Sequence, residues 1–383
     1  MTKQISNFYH RLALSGEEWR KKVVKEHNIK LDNIKKKGLS YPKDLYPLWG
    51  APLEWWYFNG HLREIGAKKD LQEFGYEFCF FKYNPWALRF GPVPLSFMKK
   101  EPFLIFHFAI TDKTNKKFDL YEDSGTKTLS KIYWEKLSLE LGNSKMTLGN
   151  KNNKKTFQIK TKNDLAELKL DLTPAKRFVK HFDNGFSVMF RLPEFRTYYL
   201  SFTRVKSSGY LKIGGKKYQV QGESWFDHQK LNHPPQAPFV GWDWFGIMFD
   251  DNTELMVFDI RGEKNLKKDV MGGTYVDKNS KKVDLKAGDF KIKILSKWTN
   301  PKTKITYPSG WEIEVPKLNI NIKITPIVKG QEISRTITTP VSYWEGACTV
   351  EGKKGGKKII GKSYVELTGY DQRFLARLTQ KLS

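Results

Sequence analysis

Acid-catalysed chemistry on a greasy alkene needs a carboxyl that stays protonated, an aromatic wall that tolerates a developing cation, and a held water. Two stretches of this chain place such residue types at strand spacing. The first is Glu54-Trp55-Trp56-Tyr57-Phe58-Asn59-Gly60-His61. The second is Gly222-Glu223-Ser224-Trp225-Phe226-Asp227-His228-Gln229, with Gly241-Trp242-Asp243-Trp244-Phe245 soon after. Period-two alternation puts Glu54, Trp56, Phe58 and Gly60 on one face, and Trp55, Tyr57, Asn59 and His61 on the other. In the second stretch Trp225, Asp227 and Gln229 share a face, and Phe226 and His228 share its opposite. One face of a barrel strand looks into the lumen, so the spacing predicts a shared lumenal cavity lined by indoles and proton-handling groups. A carboxylate moved out of water there has its pKa raised and becomes a usable acid. The competing reading pairs Glu54 with a nearby lysine or arginine and uses the tryptophans as core. His107 and His181 stand alone and read as structural. No nucleophile elbow, P-loop, dinucleotide fingerprint or paired-histidine zinc motif occurs, so neither metal nor cofactor is expected.

The elements that must position these groups are strands. Phe74, Tyr76, Phe78 and Phe80 alternate with Gly75, Glu77, Cys79 and Phe81. Phe103, Ile105, His107 and Ala109 repeat the pattern, as do Leu168, Leu170 and Leu172, and then Tyr199 to Val205. Turn signals such as Gly214-Gly215 and Asp250-Asp251-Asn252 separate the runs, and no helical pattern intervenes. Many short strands joined by hairpins predict an all-β fold of two antiparallel barrels in tandem. The loop His233-Pro234-Pro235-Gln236-Ala237-Pro238 divides the series, which gives barrels over 49–237 and 238–375. Residues 1–48 differ: Glu17 to Lys37 is charged, with apolar residues at helical intervals, and predicts a short N-terminal helical arm.

Charge narrows the partners. The net charge of +26 suits an anionic membrane surface. The lysines are spread through turns and arginine is scarce, so nucleic acid is not an expected partner. Cys79 and Cys348 lie far apart in strand-like runs and read as buried free thiols. Met1 to His10 lacks a secretory apolar run, and no stretch approaches the ~20 apolar residues of a membrane span. The expected location is cytoplasmic, at most peripheral to a membrane.

The motifs together carry a resemblance. To the stretches quoted above the chain adds Glu254-Leu255-Met256, Tyr307-Pro308-Ser309-Gly310-Trp311, Tyr343-Trp344-Glu345-Gly346 and Tyr364-Val365-Glu366-Leu367-Thr368-Gly369-Tyr370. In this order they resemble the carotenoid 1,2-hydratase (hydroxyneurosporene synthase) superfamily over about residues 50 to 372. The superfamily also includes AttH-like proteins labelled only as hydrolases or attachment factors, and fungal pericyclases of related fold. The resemblance implies two lipocalin-like barrels, the second shorter. For the hydratase branch it implies cofactor-free, acid-catalysed addition of water to an acyclic carotenoid. That branch carries an Asp-His-x-Trp run; Asp227 and His228 match it, and Lys230 stands where the tryptophan would. Its downstream aspartate is matched by Asp259, with Val257 in place of the tyrosine two residues before.

On this reading Asp227 or Asp259 delivers the proton and His228 orients or deprotonates water. Trp56, Trp225, Trp242 and Trp244, with Glu54 and His61, contact a polyene or isoprenoid substrate. The alternatives are a lipocalin-like carrier that releases its hydrophobic ligand unchanged, and a peripheral scaffold that uses the basic surface.

Overall fold

The alternating runs become long antiparallel strands. The computed structural model describes residues 25, 39–66, 71–84, 89–90, 93–94, 102–188, 196–231, 239–262, 270–334 and 342–371. They form two large barrel-like sheets in tandem, the lipocalin-like all-β architecture that the sequence predicts. Among the described residues the first sheet has thirteen strands. Its middle runs Phe103–Asp112, Glu73–Tyr83, Leu53–Glu64, Lys216–Leu231, Arg196–Ile213 and Ala166–Pro174, each hydrogen-bonded to the next. The second sheet has ten, built around Phe239–Phe249, which lies between Glu254–Gly262 and Lys357–Thr368; Tyr343–Lys354 follows outward from the latter. Of the arm predicted over residues 1–48, the structure describes Lys25, which is helical, and residues 39–48. The rest of the arm and the 233–238 loop lie outside the described residues. The described helical segments are otherwise the 3-10 turns Lys43–Leu45 and Pro316–Leu318, and no described helix is long and apolar enough to cross a membrane.

Hairpin turns set the register. Gly214 and Gly215 both take positive φ (57° and 78°) between the two longest strands, a conformation that L side chains adopt only with strain. That turn pairs Ile213 with Lys216, and a register shift between Phe202 and Val205 then brings Ser201 opposite Asp227. The opening strand pairs Tyr57 with Asp227 on one side and with Cys79 on the other.

Phenylalanine decides which face turns inward. Trp56, Phe58, Phe78, Phe80, Phe106, Phe157, Phe202 and Phe226 are all buried in the first barrel's core. Their rings pack edge-on or tilted, with centroids 4.6 Å apart for Phe58–Phe226 and 4.7 Å for Phe78–Phe106. Burying each such ring stabilises the fold by about 1.5–3 kcal/mol, so this face is the one that closes on itself. The second sheet does the same with Phe245, Ile247, Trp311, Ile313, Ile322 and Trp344. Both interiors are thus packed with side chains.

The opposite faces still carry aromatics, and each sheet covers the other's. Tyr57, Cys79, Tyr199 and Trp225 from the first pack with Trp244, Met248, Met256, Ala347 and Tyr364 from the second. Polar fastenings cross the same seam: Thr111 Oγ1 donates to Gln331 Oε1 (2.6 Å), and Trp244 Nε1 to the Tyr199 hydroxyl (2.9 Å). The sheets approach closely at Gly75, where an added Cβ would sit 2.4 Å from Ala347 Cβ. Gly75→Ala is therefore expected to wedge the sheets apart and cost about 1–3 kcal/mol, read by urea unfolding. An unchanged midpoint would show that the seam yields freely at this point.

Candidate active site

Asp227 sits at the centre of the seam. The strand pleat turns Trp225 and Asp227 toward the second sheet while Phe226 and His228 point into the first barrel. The Asp227 carboxyl is nearly inaccessible and accepts three hydrogen bonds. Trp225 Nε1 (2.6 Å) and the Ser201 hydroxyl donate to Oδ1, and the Tyr199 hydroxyl donates to Oδ2 (2.6 Å). Burial pushes its pKa up to about 7 even though those donors favour the ionised form. Near neutrality the group therefore shares its population between acid and base.

Aromatic side chains pack around it. Trp244 meets Tyr57 and Trp225 edge-on, with centroids 5.9 Å apart in each case. Behind Ser201 lies His181, whose Nε2 is 2.7 Å from the serine hydroxyl and whose Nδ1 is 2.9 Å from Thr274 Oγ1. Burial lowers its pKa to about 3, so it is a neutral relay that holds the serine in place.

Three more acids share the seam. Glu366 and Glu345 follow Trp244 across adjacent strands of the second sheet. Glu366 has a pKa raised to about 7 by burial and by the Asp227 charge, opposed by a hydrogen bond from Trp242. Glu345 accepts a hydrogen bond from the Tyr57 hydroxyl and is pushed well up by burial and by Glu77. Glu77, beside Asn59 on the first sheet, is raised in the same way. The arrangement joins two carboxyls that titrate near neutrality to an aromatic wall. Among the described residues no three His, Cys, Asp or Glu side chains converge as metal ligands, and both cysteines are buried free thiols.

The seam gathers four of the expected site residues, Asp227, Trp225, Trp242 and Trp244, and separates the others. Glu54, Trp56 and His228 lie on the interior face of the first barrel. Glu54 is paired with Lys82 at 2.8 Å, both side chains fully buried, and its carboxylate also accepts from Leu48 N. Trp56 stacks on His228 at 4.7 Å and donates to Leu45 O (2.8 Å). His228 binds Trp55 O through Nδ1 (2.8 Å), and burial holds its pKa well below the usual range. Lys230 donates to Tyr46 O (3.2 Å) in the same cluster. This cluster ties residues 45–51 to the barrel; Glu54 has the paired charge of the competing reading, and His228 lies on the opposite face of its strand from Asp227. Asp259 shares the second sheet's interior-facing side with Asp243, its partner across the strand pair, and not the side of Met256 and Phe258. His61 is on the seam face but donates to Ser363 O (3.0 Å) at a distance of four residues along its strand from Tyr57. The lumenal cavity is thus replaced by a site between sheets.

Residues that the sequence reasoning missed complete the site: Tyr199, Ser201, Glu77, Glu345 and Glu366. Glu345 and Glu366 lie inside quoted motifs, a signal available and unused. Tyr199 and Ser201 carry no local cue beyond alternation.

A family model described as AttH-like matches residues 33–370 of this chain. No curated protein matches it. Among solved structures, a candidate AttH protein from Nitrosomonas europaea superposes with a TM-score of 0.73 at 23% identity, covering 87% of this chain and 97% of its own. Kievitone hydratase from Nectria haematococca gives 0.68 at 14% identity, covering 87% and 93%. CghA with Sch210972 gives 0.50 at 7% identity, covering 83% and 88%.

Proposed function

This chain belongs to the AttH-like family, and from its inter-sheet site we propose that it adds water across a carbon–carbon double bond of a hydrophobic unsaturated substrate by acid catalysis. The observation that carries this reading is the Asp227 carboxyl, raised to about 7 within a wall of Trp225, Trp244, Tyr57 and Tyr199. The name of the kievitone hydratase neighbour supports hydratase chemistry on this fold, and the CghA structure supports the fold's holding a small molecule.

Neutral Asp227 gives its proton to one alkene carbon. An isoprenoid-type trisubstituted double bond then yields a tertiary cation, which the electron-rich faces of Trp244 and Tyr57 stabilise. Water attacks the cationic carbon, and ionised Glu366 accepts the proton that this oxygen loses. Return of that proton to Asp227 restores both groups, and the product is substrate plus one water. Two neighbouring carboxyls near pKa 7 suit the division of labour, since ionising one disfavours ionising the other. An acyclic carotenoid or other isoprenoid polyene is the substrate class we favour.

The test is mass spectrometry of an isoprenoid panel incubated with the protein, with a gain of one water as the expected outcome. Recovery of every compound unchanged but tightly bound would favour a carrier instead. His228→Phe should keep turnover within about threefold, because the ring faces the barrel interior and would retain its stack on Trp56. Loss of turnover in a variant of normal stability would return His228 to the mechanism.

A further inference from the structure

The seam holds a second unusual feature beside the acid. Four of its polar atoms are buried with no hydrogen-bond partner: Asn59 Nδ2, Glu77 Oε2, Glu345 Oε2 and the Tyr364 hydroxyl. Each of these residues is about 1% exposed or less. They are neighbours. Asn59 stands directly across from Glu77, and Tyr57, two residues before Asn59 on the same face, bonds the other oxygen of Glu345. Tyr364 pairs across its strand with Ala347, two residues beyond Glu345. Glu345 and Glu77 both act on the Tyr364 phenol electrostatically, which keeps the four within one neighbourhood.

Buried polar groups are nearly always satisfied, and each that is not lowers stability. Four together, next to a reactive acid, are the signature of groups that a ligand completes. Their chemistry limits that ligand. Asn59 Nδ2 can only donate, so the ligand must accept there, which a cationic ammonium cannot do. Burial disfavours the charged forms of Glu77 and Glu345, and no lysine or arginine is among the groups that shift them, so an anionic head would find no counter-charge. A neutral oxygen suits each of the four, since hydroxyls and protonated carboxyls can donate or accept, and a single hydroxyl can engage up to three of them at once.

We propose that the substrate carries a hydroxyl or carbonyl head group, bound by Asn59, Glu77, Glu345 and Tyr364, with its double bond lying toward Asp227 and Trp244. The proposal rests on the hydratase reading for which end reacts, and within the isoprenoid polyenes favoured above it selects an oxygenated member over a pure hydrocarbon.

Calorimetric titration with geraniol, with the ten-carbon hydrocarbon myrcene, which lacks the oxygen, and with geranylamine tests it. Geraniol should bind about tenfold more tightly than myrcene or better, because a site built around a substrate oxygen rejects the analogue that lacks it. Asn59→Leu and Tyr364→Phe should each shrink that ratio toward parity while leaving myrcene affinity unchanged. Tyr364→Phe should also raise the melting temperature of the free protein, since it deletes an unsatisfied hydroxyl; a structural tyrosine would do the reverse. Equal binding of geraniol and myrcene, no geraniol binding up to about 1 mM, or a preference that survives both variants would overturn the proposal. Tighter binding of geranylamine would overturn it in favour of a cationic ligand. Equal binding with Asp227-dependent hydration intact sinks the head-group site alone. An alcohol preference with no hydration of any alkene sinks the hydratase reading alone.

Discussion

Asp227→Asn is expected to lower turnover by about 10²–10⁴-fold while the protein still folds. The amide has the carboxyl's shape, keeps an oxygen to accept from Trp225 and Ser201, and presents its NH2 to the Tyr199 oxygen, which can accept it. What it lacks is the transferable proton. The wild-type rate should fall as pH rises through about 7, where the acid form is lost. Stability should carry the same signature. The folded pKa lies above the ordinary carboxyl value of 3.8, so the folded protein holds the proton more tightly than the unfolded chain. The associated stability is present at low pH and lost as pH climbs toward and through 7, by about 4 kcal/mol at full ionisation. The asparagine variant escapes that loss. Melting curves from pH 5 to 9 should therefore show wild type falling behind the variant at the alkaline end. Full turnover in Asp227→Asn would remove this residue from the mechanism.

Glu254→Ala should be the most damaging single change to the seam, at about 3–5 kcal/mol by urea unfolding. Its buried carboxylate, at the start of a second-sheet strand, accepts from Arg204 Nε (2.7 Å), Lys176 Nζ (2.8 Å) and the Thr203 hydroxyl (3.1 Å) of the first. Arg204 also reaches back to Phe249 O (2.7 Å) and to Glu223 (2.8 Å). Removing the carboxylate strands two nearly buried cations at the junction, and truncating one partner of a buried pair costs far more than the pair contributes. Arg204 keeps Glu223, whereas Lys176 keeps only the backbone oxygens of Asn252 and Asp277. Since the catalytic groups come from both sheets, turnover should fall with stability. A loss under about 1 kcal/mol would show that apolar contacts alone hold the sheets together.

Much of this was legible beforehand. Alternation in Leu53–Glu64 and Lys216–Leu231 assigns every side chain to one of two faces, and the structure keeps those groupings: Glu54 with Trp56, Tyr57 with Asn59 and His61, Trp225 with Asp227. The motif glutamates Glu345 and Glu366 were in view, although nothing local marked them as acids of one site. His228 illustrates the limit. It follows Asp227 in sequence, and adjacency in a strand means opposite faces, so the pleat that brings Asp227 to the seam carries His228 into the barrel.

The sequence by itself determined the superfamily through its motifs, and the all-β architecture and the partition of residues into faces through period two, which is a property of the strand backbone alone. Only the tertiary structure decided which face is inside, since parity is unchanged when the two faces are exchanged. Packing volume broke that symmetry. The phenylalanine faces fill their own barrels, so the tyrosine, tryptophan and carboxylate faces are left to cover each other. That contact brings Tyr57 to Glu345 and Tyr199 to Trp244, and it places the acid in a buried seam between two sheets, away from the lumen of either.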